Sequence, residues 1–83
     1  MSTELSKIIE SYPDEGFLLA NGFDDCVIGV ETLSMRLIYS VSKCVDTLMK
    51  QGMAFDDAVE YLEFNTFCAY VGDKTPIWSN DLF

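Results

Sequence analysis

Cys26-Val27-Ile28-Gly29-Val30, then Glu31-Thr32-Leu33-Ser34, then Met35-Arg36-Leu37-Ile38-Tyr39-Ser40-Val41 is the stretch that decides the fold. Its first segment is rich in β-branched residues and reads as a strand. The four residues from Glu31 to Ser34 read as a hairpin loop, and Met35 to Val41 as the returning strand. In that strand Met35, Leu37 and Tyr39 alternate with Arg36, Ile38 and Ser40. Successive strand side chains point to opposite faces, so one face is apolar and the other mixed. A hairpin with one apolar face needs something to cover it.

The covering elements flank it on both sides. Leu5, Ile8, Ile9 and Tyr12 recur at helical spacing, which predicts a helix over residues 3 to 12, capped by Ser2 or Thr3 and stopped by Pro13. Residues 13 to 16 read as a turn. Phe17 to Ala20 is a short apolar run, strand or merely extended, and Asn21-Gly22 is a second turn signal. After the hairpin, Ser40 or Ser42 can cap a helix reaching about Gln51. Its buried stripe would be Val41, Cys44, Val45, Leu48 and Met49, with Gly52 in the left-handed position beyond its end. A further helix is predicted from Phe55 to Phe67. Ala54 occupies its cap position and has no side-chain acceptor, and Asp56 and Asp57 compensate with charge in the first turn. Residues 72 to 76 form a turn, and Ile77-Trp78 a short third strand. The order is helix, β-hairpin, helix, helix, short strand: a small single α+β domain over residues 1 to 83, its antiparallel sheet covered by helices.

Size and charge narrow the function. The chain has 83 residues, and its 14 acidic and 5 basic side chains give a formal charge of −9. Its apolar fraction of 49% is too high for a disordered acidic tail. A chain this short leaves little room for a large enclosed active site. The acidity argues against direct binding of nucleic acid. Histidine is absent, which removes the commonest general base and metal ligand. Cys26, Cys44 and Cys68 show no zinc-ligand spacing and read as buried thiols in a reducing cytoplasm. No signal peptide and no apolar run of membrane-spanning length is seen, so the expectation is a cytoplasmic protein with no membrane partner.

The acids are unevenly placed. Residues 1 to 35 carry seven acids and one lysine, residues 36 to 52 carry three bases and one acid, and residues 53 to 83 carry six acids and one lysine. The middle helix is thus mildly basic between acidic flanks. On the last helix Asp56, Asp57, Glu60 and Glu63 fall within about 120° of one another. Such a stripe has two readings. Charged faces are usually solvated faces and no more. A row of carboxylates with no intervening base can also occupy a basic groove that normally holds nucleic acid. The opposite face, Phe55, Ala58, Val59, Leu62 and Thr66, is the core face, and Asn65 ties the helix end to the following loop. Tyr61, Phe64, Phe67 and Cys68 lie between the two. Either the C-terminal segment with Tyr70, Ile77 and Trp78 packs on them, or they form an exposed aromatic patch beside the acids. Such a patch is what a protein-binding surface would use.

Catalytic machinery is not in evidence. There is no Walker loop and no dinucleotide-binding glycine pattern. Asp24, Asp25 and Asp73 lack the spacing of a calcium loop. No cysteine has a histidine partner to activate it. No catalytic residue, metal ligand or cofactor is therefore assigned.

Gly22-Phe23-Asp24-Asp25-Cys26-Val27-Ile28-Gly29-Val30 resembles the GFDDAIIGV opening of a family of short uncharacterised proteins of tailed phages and bacterial genomes. Arg36, Ile38-Tyr39 and Lys43-Cys44 are similar to its R.IY..DKC segment. Residues 58 to 65, 69 to 72 and 75 to 77 are similar to its AVEYFEFN..GAYVGE.TPIF segment. Ala54 departs from the family's usual threonine, and Cys68 from its usual glycine. The resemblance spans residues 14 to 78 and implies a phage or phage-associated origin, with no reaction attached. Small acidic phage proteins are often inhibitors of host machinery, restriction and CRISPR nucleases included. The expectation is an accessory protein, not an enzyme. It would bind a host or phage protein with a basic surface through Asp56, Asp57, Glu60, Glu63, Tyr61, Phe64 and Trp78. The alternative is a structural module that pairs with a second copy as a homodimer.

Overall fold

The computed structural model describes residues 3–20, 22–64, 72 and 74–82. Helix α1 spans Thr3–Ser11, strand β1 Val27–Glu31, strand β2 Arg36–Ser40, helix α2 Val41–Lys50, helix α3 Phe55–Leu62 and strand β3 Ile77–Ser79. The predicted α+β order is present.

The hairpin forms one residue out of the predicted frame. Its loop is Thr32 to Met35, and Glu31 pairs with Arg36 across the strand ends. Met35 has φ 55°, a left-handed conformation that closes the loop and excludes it from the strand. Cys26 belongs to a turn of 3-10 helix over Asp24–Cys26 rather than to β1. The alternation in β2 holds: Leu37 and Tyr39 are fully buried. In β1 the register slips between Val27 and Gly29, so Ile28 is the extra residue of a bulge and is exposed.

β2 is central, with β1 antiparallel on one side and β3 parallel on the other. The sheet is therefore mixed, whereas the sequence reading made it wholly antiparallel. The reason lies at Ser40. It is both the last residue of β2 and the N-cap of α2, accepting from the Lys43 N–H at 3.2 Å. The chain leaves β2 directly into a helix and returns only after α3, a crossover of the kind that parallel strands require. Phe17 to Ala20 joins no strand. It runs extended against the core, and the Ala20 N–H donates to the Tyr39 hydroxyl at 2.8 Å.

Helix α2 buries Val41, Cys44, Val45 and Leu48 at positions i, i+3, i+4 and i+7. Met49, assigned to that stripe from sequence, is 43% exposed. At about 100° per residue it falls beyond Val45, at the edge of the stripe. α2 ends as its sequence predicts. Gly52 has φ 106°, its N–H donates to the Met49 carbonyl at 3.0 Å, and the Met53 N–H donates to the Leu48 carbonyl at 3.2 Å. These two bonds make a Schellman motif, and the Met53 side chain packs back on the core. Gly52→Ala should cost about 1 kcal/mol, because a Cβ is disfavoured at that φ. Urea denaturation checks this, and an unchanged midpoint would contradict it.

In α3, Ala58 and Leu62 are fully buried, but Phe55, predicted for the core face, is 42% exposed. It is the first residue of the helix. As the sequence indicates, Ala54 makes no side-chain cap bond, and the first turn carries Asp56 and Asp57. The predicted continuation through Asn65, Thr66 and Phe67, with Cys68 and Tyr70 beyond it, lies outside the described residues.

Three polar ties hold the C-terminal segment. Asp81 sits at the N-terminus of α2. One carboxylate oxygen accepts from the buried Ser40 hydroxyl, and the other accepts from the Ser42 N–H at 2.8 Å. α2 has no acid in its own first turn, so Asp81 supplies the charge from a distance in sequence. Ahead of β3, the Arg36 side chain donates to the Thr75 carbonyl. Lys74 bridges to Glu15 at 2.9 Å and donates to the carbonyls of Ser34 and Met35.

Candidate functional site

The site is built on α3. The buried side of this helix, Ala58 and Leu62, is spoken for by the core. What faces away is acidic and aromatic. Asp56, Asp57, Glu60 and Glu63 are all exposed, so the predicted carboxylate row is on the surface. Tyr61 is 43% exposed and Phe64 is 74% exposed. Of the aromatics that sequence placed between the core and acid faces, Tyr61 and Phe64 therefore contribute apolar area to the outside. After Leu62 the helical path widens into a π-turn at Glu63 and Phe64.

Asp57, Glu60, Tyr61 and Phe64 line an open cleft of about 280 Å³. Asp57 and Tyr61 are four positions apart, as are Glu60 and Phe64. Residues four apart on a helix share a face, which puts Tyr61 on the same side of α3 as Asp57. Asp56 and Glu63 are outside this lining, at the margins of the same surface. Trp78 is elsewhere. It is half-buried in β3 with its ring 5.0 Å from that of Tyr39 at an interplanar angle of 36°. The structure thus brings together four of the seven sequence-assigned partner-binding residues, leaves two beside them, and places Trp78 on the sheet.

A second open cleft lies along α2, lined by Asp25, Lys43, Asp46, Thr47, Lys50 and Gln51. Its charges balance, and Lys50 pairs with Asp46 at 3.0 Å. It has no single electrostatic sign with which to select a ligand.

Sequence reasoning missed the hairpin tip. The Glu31 carboxylate accepts from the Leu33 N–H at 2.8 Å, from the Ser34 N–H at 2.9 Å and from the Ser34 hydroxyl at 3.0 Å. These bonds, the Ser34 N–H first among them, hold its carboxyl below the usual glutamate range. The loop is thereby fixed from inside, with Lys74 on its outer carbonyls. The available signal was a glutamate two positions before the loop centre, a weak cue without the backbone geometry.

The two described thiols are enclosed. Cys26 and Cys44 are buried and unbridged, and burial pushes the Cys44 thiol well above its usual range, with Cys26 nearby adding to it. Cys68 and Asp73 lie outside the described residues. Among the described residues no group of three or more cysteine or acidic side chains is placed to hold a metal ion. No helix among them is long and apolar enough to cross a membrane. No family model, curated protein or solved structure matches this chain.

Proposed function

We propose that this chain is a small acidic accessory protein that acts by binding another protein through the outward face of α3, without catalysis of its own. The partner presents a basic surface. The observation that carries this reading is the coincidence of Asp57 and Glu60 with the exposed rings of Tyr61 and Phe64 in one cleft. Carboxylates steer a basic partner at long range, and exposed aromatics supply the desolvated contact area that charge alone does not. The net charge of −9 acts in the same direction. The sequence resemblance to short phage proteins supports a host nuclease or another defence factor as the partner class. Asp56 and Glu63 extend the carboxylate row, so that the surface imitates the charge of nucleic acid in a basic groove.

Capture from a bacterial lysate on immobilised protein, at low and at high salt, tests this. The doubly substituted Asp57→Lys, Glu60→Lys chain should lose the salt-sensitive partner. Its melting temperature should fall only slightly, since reversing one acid in a helix's first turn costs about 0.3–1 kcal/mol. If the reversed chain keeps every partner the parent captures, the acidic face is not the contact surface. Sedimentation equilibrium addresses the homodimer, and the expected result is a monomer.

A further inference from the structure

We draw no further inference here: the strongest candidate, the surface patch at the tip of the β-hairpin where Leu33 stands almost fully exposed on the loop clamped by Glu31, is an unpartnered apolar surface, and nothing in the structure shows what covers it.

Discussion

Tyr39→Ala should remove a large share of the stability of the chain. Tyr39 is fully buried in the middle of the central strand, opposite Val27 in β1 and Trp78 in β3. Its ring stacks at a tilt on Trp78, and its hydroxyl accepts the Ala20 N–H. Truncating a buried aromatic costs about 3–5 kcal/mol through lost transfer energy and the cavity left behind. A domain of this size has a total of only about 4–12 kcal/mol to lose. Tyr39→Phe separates the two contributions. It keeps the ring and orphans the Ala20 amide, which should cost about 1–2 kcal/mol. Guanidinium titration followed by the fluorescence of Trp78, the single tryptophan, measures both. Should Tyr39→Ala stay within about 1 kcal/mol of the parent, the packing around β2 described above is wrong.

The second large effect is expected at the junction of Asp81 with the start of α2. Asp81→Ala removes a carboxylate that accepts from the Ser40 hydroxyl and the Ser42 N–H, and that sits at the positive end of the helix. Hydrogen bonds to charged groups contribute about 1.5–3 kcal/mol. The carboxylate is exposed to water, which argues for the lower part of that range, about 2 kcal/mol. Ser40→Ala loses the cap on Lys43 as well, for about 1–2 kcal/mol. Because the residues touch, the double substitution should cost less than the two single costs together, by about 0.5–1 kcal/mol in a double-mutant cycle. Strict additivity would mean that Asp81 and Ser40 act independently.

The same junction sets an acid limit. The Ser40 hydroxyl first, then the Ser42 N–H, hold the Asp81 carboxyl below the usual aspartate range. A carboxyl lowered in the folded state binds fewer protons folded than unfolded as the pH approaches its ordinary value of about 3.9. Its stabilisation is complete above that pH and is lost as pH falls through the lower folded value. Glu31 in the hairpin loop contributes with the same sign. Denaturation midpoints should therefore fall between about pH 4.5 and the acid limit, and Asp81→Ala should show a shallower fall than the parent.

Much of the site was legible in the residues. The acidic row was read from the spacing of its carboxylates along one helix, a local property, although Ala54 at the cap position lacks an acceptor. All four carboxylates are at the surface as that spacing requires. Whether Tyr61 and Phe64 faced the core or the solvent was not legible. Their positions fall between the two faces, and only the placement of α2 against Ala58 and Leu62 decides which way the helix is turned. Trp78 was grouped with them because an exposed aromatic patch and an aromatic packed on a sheet look alike in sequence. Its position depends on β3 lying beside Tyr39, a contact between residues far apart in the chain.

The sequence by itself determined the charge of −9, the hairpin with Leu37 and Tyr39 on its apolar face, and the three helices with the Gly52 stop. Each follows from composition, from side-chain periodicity or from the conformational needs of neighbouring residues. The tertiary structure alone decided the parallel pairing of β3, the Asp81 tie to the start of α2, the Glu31 clamp in the hairpin loop, and the exposure of Tyr61 and Phe64 beside the carboxylates. These depend on where the chain returns after a long excursion, or on backbone N–H groups turned towards a side chain. Spacing along the sequence carries information about one helix or one strand. It carries none about which surface a second element leaves uncovered.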